Sequence, residues 1–291
     1  MIRFLALTVM LLTGGEALST PGDTPFFVSV DWLSHHLHDA HLVLLHVGKR
    51  EEFDAGHIPG ARFASLAQVS APQVEGGLVL ELPAAGRLDS ALDDLGIDDD
   101  SRIIVYFGND WLSPTARLYL TLTYAGLGEH TSILDGGMPA WQSAGHGIDG
   151  TANAVKRGTV HVKPARRLVA TKSDVLSHGP HTLLIDARTP VYYTGEKTSM
   201  SGAGHIPSAR NIPFTSLFSD DGSVRDRRTL DSLFTAAGVA PGDSVITYCH
   251  IGQQASVVYV VARMLGHPAR LYDGSFDEWS RDPTLPVVKG P

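Results

Sequence analysis

The apolar positions of the chain fall into short runs that alternate with stretches of helical spacing. β-Branched and aromatic residues dominate the short runs, which predict buried strands at 42–47, 101–107, 183–186 and 244–248, with shorter ones ending near 135 and 273. Apolar residues at helical spacing predict helices at 29–37, 116–125, 171–176, 228–237 and 257–265. Strands that alternate with helices indicate an α/β fold, with parallel sheets covered by helices on both faces.

These elements occur twice in the same order, with a period of roughly 145 residues. The tetrapeptide Gly-His-Ile-Pro stands at 56–59 and again at 204–207, and Asp-Gly followed by a tryptophan stands at 135–141 and again at 273–279. The repetition predicts two copies of one domain. We assign them to residues 24–146 and 166–289, joined by a polar linker at 147–165.

The first residues predict an export signal. Arg3 precedes an apolar run at 4–12, two glycines break that run, and Ala17-Leu18-Ser19 provides small residues for a signal peptidase. We interpret 1–19 as a signal peptide cleaved near Ser19, which predicts a periplasmic or secreted protein. An uncleaved anchor or a start-site artefact is the alternative, although the run is too short to span a bilayer.

The charge of the chain narrows the classes of partner. A formal net charge of −8 argues against a nucleic-acid partner and against an anionic membrane surface. The longest acidic run, Asp98-Asp99-Asp100, is interpreted as a solvated turn. We expect small-molecule partners, no membrane attachment once the signal is removed, and a monomer.

Cys249, the only cysteine in 291 residues, stands where the strand at 244–248 turns into a helix. Backbone N–H groups of such a loop converge on one point, and the start of the helix adds its positive end. Both should favour the thiolate, which is the nucleophilic form of cysteine. The alternative is a small buried side chain at a strand end. In an exported protein, a thiol with no internal partner is a candidate reactive group.

His57 and His205, from the repeated tetrapeptide, invite a metal hypothesis. They lie in separate copies, and no cysteine or carboxylate cluster with ligand spacing accompanies either. We therefore expect a hydrogen-bonding role for these histidines, and we predict neither a metal nor a cofactor.

Together these motifs resemble the tandem, two-domain form of the rhodanese family. The resemblance rests on the repeated Gly-His-Ile-Pro, on Asp186-Ala187-Arg188 at a strand end, and on Tyr-Cys-x-x-Gly-x-x-Ala at 248–255. It implies that the second domain is catalytic and accepts a sulfane sulfur on Cys249. The first domain would be inactive, since Phe107 stands in place of the cysteine, and His46 and Gly48 stand in place of Asp186 and Arg188.

The resemblance also implies which residues bind the substrate and which support the site. The expected substrate-binding residues are His250, Ile251, Gly252, Gln253, Gln254, Ala255 and Tyr192. The expected structural supports are Asp186, Arg188 and His205.

The loop side chains match neither the basic pattern that accompanies thiosulfate in this family nor the small neutral pattern that accompanies 3-mercaptopyruvate. We expect a partly charged His250 to attract an anionic donor. Gln253 and Gln254 either donate hydrogen bonds to the substrate or cap the helix in solvent. Tyr192 stands where many members carry an arginine, and Lys197 is a candidate to replace that charge.

The sequence thus predicts a sulfurtransferase that uses a Cys249 persulfide. The donor would be thiosulfate or 3-mercaptopyruvate, and the acceptor cyanide, a small thiol or a thiol protein. The alternative is a sulfur carrier without turnover, or a redox-sensing module that uses the same cysteine. A cysteine-dependent phosphatase is rejected because that chemistry needs an arginine six residues after the cysteine, where this chain has Ala255.

Overall fold

The computed structural model describes residues 24–109, 112–151, 154–198 and 202–290. The predicted signal peptide at 1–19 lies outside the described residues. The described residues form two parallel five-stranded sheets, one in each half of the chain. The predicted fold class is therefore confirmed.

The first domain opens with a short strand and then a helix that Ser29 caps, since the Ser29 hydroxyl accepts a hydrogen bond from the Trp32 N–H. Its elements are β1 (Phe27–Val28), α1 (Val30–His36), β2 (Leu42–Val47), α2 (Arg50–Ala55), β3 (Arg62–Ala64), α3 (Ala85–Asp94), β4 (Arg102–Phe107), α4 (Leu112–Tyr124), β5 (Thr131–Leu134) and α5 (Gly137–Ser143).

The second domain repeats this order. Its elements are β6 (Val169–Ala170), α6 (Lys172–Leu176), β7 (Thr182–Asp186), α7 (Pro190–Tyr193), β8 (Arg210–Asn211), α8 (Arg227–Ala236), β9 (Ser244–Tyr248), α9 (Gln253–Leu265), β10 (Ala269–Tyr272) and α10 (Ser275–Ser280). Short 3-10 turns stand at Gly128–His130, Arg166–Leu168 and Phe214–Leu217.

Both sheets have the same topology, with strand orders β1-β5-β4-β2-β3 and β6-β10-β9-β7-β8. All of these strand pairs are parallel. Successive residues of a strand face opposite sides of a sheet, so Leu44 packs into an outer core and Leu45 into an inner one. Helices cover both faces, which explains why the strands are continuous apolar runs.

The duplication extends to individual hydrogen bonds. The backbone N–H groups of Ile58 and Ile206 each donate to a tyrosine hydroxyl of the adjacent strand, Tyr106 and Tyr248, at 3.2 Å in both domains. One buried tyrosine hydroxyl thus holds each Gly-His-Ile-Pro turn against its sheet in the same way.

The inner faces of the two sheets share one hydrophobic core, in which α4 of the first domain lies against α9 of the second. Because α9 begins just after Cys249, this packing brings the first domain close to the predicted active-site loop.

The acidic run at 98–100 is exposed, but two of its carboxylates are not simply solvated. Asp98 accepts a hydrogen bond from the Thr159 N–H at 2.8 Å, and Asp99 accepts one from the His161 N–H at 2.8 Å. These hydrogen bonds lower the pKa of both carboxyls. The run therefore anchors the linker to the first domain, an arrangement that sequence spacing does not reveal.

Within the described part of the chain, no helix combines the length and apolar content needed to span a bilayer. The same residues contain no cluster of three His, Cys, Asp or Glu side chains that could hold a metal ion.

Candidate active site

Cys249 lies at the carboxyl end of β9 with 1% of its surface exposed. The chain then turns through Gly252, whose φ of +82° lies in the left-handed region that favours glycine, and α9 begins at the next residue. The turn brings the backbone N–H groups of Ile251, Gln254 and Ala255 close enough to the thiol to lower its pKa. The converging N–H groups expected from the sequence are therefore present.

The pKa of the Cys249 thiol is nevertheless raised, not lowered as the sequence suggested. Burial raises it because a thiolate loses its hydration inside the protein. The three N–H donors lower it, but burial has the larger effect. The resting group is therefore the neutral thiol, and the donors are placed to stabilise negative charge that develops on sulfur.

The segment that begins at Ser275 supports the Cys249 loop through three hydrogen bonds. The Cys249 N–H donates to the hydroxyl of Ser275 at 3.2 Å, and the Cys249 carbonyl accepts from the Phe276 N–H at 3.0 Å. The carbonyl of His250 accepts from the Asp277 N–H, also at 3.0 Å. Ser275 itself has a φ of +54°, uncommon for a residue with a side chain. The sequence reasoning missed this residue, although its place directly after the repeated Asp-Gly was the available signal.

Asp186 and Arg188 form a fully buried ion pair at the end of β7. The Arg188 guanidinium donates through Nε and Nη2 to both Asp186 oxygens, at 2.5–3.1 Å. It also donates to the Gly204 carbonyl at 2.7 Å and lies 4.2 Å from the Phe276 ring centroid. The pair thus connects the Gly-His-Ile-Pro turn to the start of α10, which carries the support of the cysteine loop.

The His205 ring makes two contacts with Tyr193. Its Nδ1 is 2.8 Å from the Tyr193 carbonyl, and its ring stacks on the Tyr193 ring with centroids 3.8 Å apart. In the first domain, His57 makes the same two contacts with Phe53, at 2.9 Å and 3.9 Å. These contacts fit the hydrogen-bonding role expected for both histidines.

His250 does not carry the charge that the sequence suggested. Burial and the nearby Arg188 guanidinium lower its pKa to about 4, so the ring is neutral near pH 7. The ring packs edge-to-face against Tyr192, with centroids 4.9 Å apart. An anionic donor therefore meets a neutral, aromatic wall at this position. The Lys197 side chain is exposed beyond α7.

The two glutamines have different environments. The Gln253 side chain crosses to the first domain, where its Nε2 donates to the Ser113 hydroxyl of α4 at 3.0 Å. The Gln254 Oε1 is buried without a hydrogen-bond partner among the described residues. Neither glutamine is a solvent-exposed cap. Ala255 is buried, and Ile251 is half-buried beside it.

The first domain also contributes Arg117, which the sequence reasoning did not select. This arginine of α4 is 1% exposed, and its Nη2 lies 2.7 Å from an oxygen of Asp273 in the second domain. It also donates to the Leu80 carbonyl, and the second Asp273 oxygen accepts from the Leu82 N–H at 2.8 Å. A charged residue inside the apolar run of α4 was the signal that a buried partner exists.

Arg117 and Asp273 lie directly behind Gly252. A β-carbon at Gly252 would come within 2.9 Å of the Arg117 Nη1 and within 3.0 Å of the Asp273 carbonyl oxygen. The interdomain ion pair therefore occupies the space that any side chain at position 252 would need.

Replacing Gly252 with alanine is expected to cost about 1–3 kcal/mol and to reduce sulfur transfer by at least about tenfold. The alanine is strained at positive φ, and its β-carbon pushes the loop N–H groups away from Cys249. Chemical unfolding and transfer assays measure the two effects. Gly242 is a matched control, since its φ is +89° and no heavy atom lies within 4 Å of the β-carbon position. Gly242→Ala should lose stability but keep its activity, and equal activities in both variants would contradict the expectation.

Phe107 occupies the position of Cys249 in the first domain and is buried. His46, in the place of Asp186, is also buried, and burial lowers its pKa to about 4. Its ring nitrogens have no hydrogen-bond partner among the described residues. The first copy therefore has a neutral, apolar strand end where the second has a thiol and an ion pair.

A comparison with protein families matches the Rhodanese-like domain at residues 29–144 and again at residues 170–282. The thiosulfate sulfurtransferase of Pseudomonas aeruginosa is 30% identical over 281 residues, covering 93% of this chain and 99% of that protein.

Two further relatives are each 29% identical. They are the sulfur carrier protein TtuD of Thermus thermophilus, with 90% of this chain and 96% of that protein covered, and the 3-mercaptopyruvate sulfurtransferase of Escherichia coli, with 91% and 98% covered. Among solved structures, YnjE has a TM-score of 0.81 and 26% identity, covering 91% of this chain and 68% of that one. With two matched domains and relatives that align over nearly its whole length, the chain belongs to the rhodanese family, in its tandem form.

Proposed function

We propose that the protein is a sulfurtransferase that takes a sulfane sulfur onto Cys249 and passes it to a thiophilic acceptor. One observation carries the proposal: Cys249, the only cysteine of the chain, is buried at the turn between β9 and α9, where three backbone N–H groups act to lower the pKa of its thiol. Such donors stabilise an anionic sulfur without help from a metal or a charged side chain. The sulfurtransferases among the relatives support the same class of reaction.

The reaction has two half-steps. The Cys249 thiolate attacks the outer sulfur of thiosulfate, a new S–S bond forms, and the S–S bond of the donor breaks as its electron pair leaves with sulfite. A nucleophile such as cyanide then attacks the terminal sulfur of the persulfide, which releases thiocyanate and restores the thiolate. This is a ping-pong scheme with a covalent intermediate.

The raised pKa of Cys249 determines how the first half-step should depend on pH. Below that pKa the thiolate fraction grows about tenfold per pH unit, so the loading rate should rise steadily with pH through neutrality and beyond. His250 is neutral over this range and adds no step near its ordinary pKa of about 6.5. Single-turnover loading by thiosulfate at a series of pH values measures this. A flat profile, or one with its midpoint near pH 6.5, would contradict it.

Two anions are candidates for the sulfur donor. We propose thiosulfate first, with 3-mercaptopyruvate as the alternative, because relatives named for each align over nearly the whole chain. His250 is neutral and its ring packs against Tyr192, so neither side chain offers charge to an anionic donor, which supports weak binding of either donor. Cyanide, a small thiol or a protein thiol would serve as acceptor, and we propose a monomer.

A second candidate function is a sulfur carrier that loads once and waits for a specific partner. The alignment with TtuD favours it over a redox sensor. Steady-state assays with thiosulfate and cyanide separate the two candidates. An enzyme releases many equivalents of thiocyanate per Cys249, whereas a carrier that discharges only to its partner loads one sulfur and releases little thiocyanate.

The first domain should stay inactive even with a thiol restored. In Phe107→Cys combined with Cys249→Ser, position 107 holds the only thiol, and neither the ion pair nor the glycine turn of the second domain accompanies it. We expect no persulfide in the intact mass after incubation with thiosulfate. A gain of one sulfur in this double variant would contradict the proposal that only the second domain is catalytic.

We also propose that the protein is exported, on the basis of the residue pattern at 1–19. The intact molecular mass of the protein recovered from a periplasmic extract or from the culture medium tests this proposal. Loss of the segment up to about Ser19 supports export, and a full-length chain in the cytoplasm contradicts it.

A further inference from the structure

The internal duplication makes Leu80 and Gly222 equivalent residues, one in each domain. Each lies five residues before the start of the next helix, α3 or α8. Each also has a positive φ, +59° at Leu80 and +80° at Gly222. Glycine adopts this region freely, whereas leucine is strained there, and backbone strain of this kind collects at functional sites. Leu80 is therefore a candidate for a role beyond packing.

The same hydrogen bond holds both segments against the opposite domain. Two residues after each of the equivalent positions, a backbone N–H donates to the aspartate of the other domain's Asp-Gly repeat. These bonds join Val224 to Asp135 and Leu82 to Asp273, each at 2.8 Å. The two segments therefore occupy equivalent places at the domain interface, each facing the strand end of the other domain.

The side chains that meet at these two places exchange their sizes. In the first domain Phe107 ends the strand, and a β-carbon at Gly222 would come within 3.1 Å of the Phe107 Cζ. In the second domain the strand is followed by the small side chain of Cys249, and the facing residue is Leu80. Protein interiors are closely packed. The exchange therefore indicates that Leu80 occupies, in front of Cys249, space that the Phe107 ring occupies in the first domain.

Arg117 independently places the Leu80 backbone beside the cysteine loop. Its Nη2 donates to the Leu80 carbonyl, and its Nη1 lies 2.9 Å from the β-carbon position of Gly252. The Leu80 carbonyl and the loop thus adjoin the same guanidinium. Leu80 is half-buried and Cys249 is 1% exposed, so a sulfur donor has to pass the side chains that cover the thiol.

We propose that Leu80, supplied by the first domain, determines how large a sulfur donor can react with Cys249. The inference rests on the proposed function. The outer sulfur of the donor must lie in front of the thiol, and the group attached to that sulfur shares the remaining space with the leucine side chain. Small donors such as thiosulfate are accommodated, and bulky organic thiosulfonates are disfavoured. With either donor the thiolate attacks the outer sulfur, and the S–S bond of the donor breaks as its electron pair leaves with sulfite or with the organic sulfinate.

The donor selectivity of Leu80→Gly and Leu80→Ala tests the inference, with cyanide as the common acceptor. The quantity measured is kcat/KM for benzenethiosulfonate divided by kcat/KM for thiosulfate. We expect this ratio to rise by at least about tenfold in both variants, since one methylene group in an apolar pocket is worth about 10–200-fold in discrimination. Glycine removes the backbone strain at position 80 and alanine keeps it, so a rise in both variants assigns the effect to the size of the side chain.

Ser208→Gly is the matched control. Ser208 is exposed and also has a positive φ, +68°, so glycine relieves similar strain there without changing the side chain that faces Cys249. The ratio should stay unchanged in this variant. An unchanged ratio in both Leu80 variants, a rise in Leu80→Gly alone, or an equal rise in Ser208→Gly would overturn the inference. If the wild-type protein transfers sulfur from neither donor, the proposed function fails, and the inference falls with it. Melting temperatures show that each variant is folded.

Discussion

Cys249→Ser is expected to abolish sulfur transfer and leave a folded protein. A serine hydroxyl is far less acidic than a thiol and cannot form a persulfide, so we expect a loss of more than about a thousandfold. The three N–H groups that face the sulfur also suit a hydroxyl oxygen, so the free energy of unfolding should change by no more than about 1–2 kcal/mol. Thiocyanate release and chemical unfolding measure the two quantities.

Cys249→Ala is the companion variant for this experiment. It removes the side-chain heteroatom, so any activity that survives in serine but not in alanine belongs to the hydroxyl. Both variants should be inactive at every pH tested. If Cys249→Ser keeps more than about a tenth of the wild-type rate, the persulfide mechanism is wrong.

Arg117→Met is expected to have the largest effect on stability. The substitution removes the guanidinium and leaves Asp273, which is 14% exposed, as an unpaired carboxylate at the domain interface. Breaking a buried ion pair from one side typically costs about 3–5 kcal/mol. Because Asp273 and Arg117 lie directly behind Gly252, we also expect a loss of sulfur transfer that exceeds any loss of folded protein. Unfolding by denaturant, and kcat measured at a temperature where the variant is folded, test both.

A double-mutant cycle with Asp273→Leu isolates the interaction, because the double variant has no unpaired charge. Arg50→Met is the exposed control, since Arg50 pairs with Asp54 on the surface of the first domain. That variant should change stability by no more than about 1 kcal/mol. Equal effects of Arg117→Met and Arg50→Met, or a cycle with no coupling, would contradict the account of the interdomain pair.

Much of the fold follows from the sequence because its strands are buried on both faces. The run at 244–248 coincides with β9, and 42–47 coincides with β2, since a strand in a parallel sheet is apolar throughout and turns bound it. The strand-loop-helix around Cys249 also follows, because Gly252 allows the turn that only a positive φ provides. The repeat then predicts the second sheet from the first.

The electrostatics of the site could not be predicted in the same way. The sequence shows that N–H groups converge on Cys249, but not how far the thiol is buried, and burial decides the direction of its pKa. His250 is misjudged for the same reason, because Arg188 and the surrounding packing lower its pKa. Desolvation is a property of the tertiary structure, so local sequence does not report it.

The contacts between the two domains could not be predicted from the sequence either. Gln253 finds its partner Ser113 in the other domain, and Arg117 finds Asp273, across separations of 140 and 156 residues. Local periodicity carries no information about such pairs. The buried charge of Arg117 in an apolar helix indicates that a partner exists, without identifying it.

The central claim is that Cys249 carries the transferred sulfur, and the intact mass of the protein tests it most directly. After incubation with thiosulfate, the wild-type protein should gain the mass of one sulfur atom, and cyanide should remove that gain. The Cys249→Ser variant should gain nothing under the same conditions. If thiosulfate and 3-mercaptopyruvate both leave the wild-type mass unchanged, or if the serine variant gains a sulfur, the claim is contradicted.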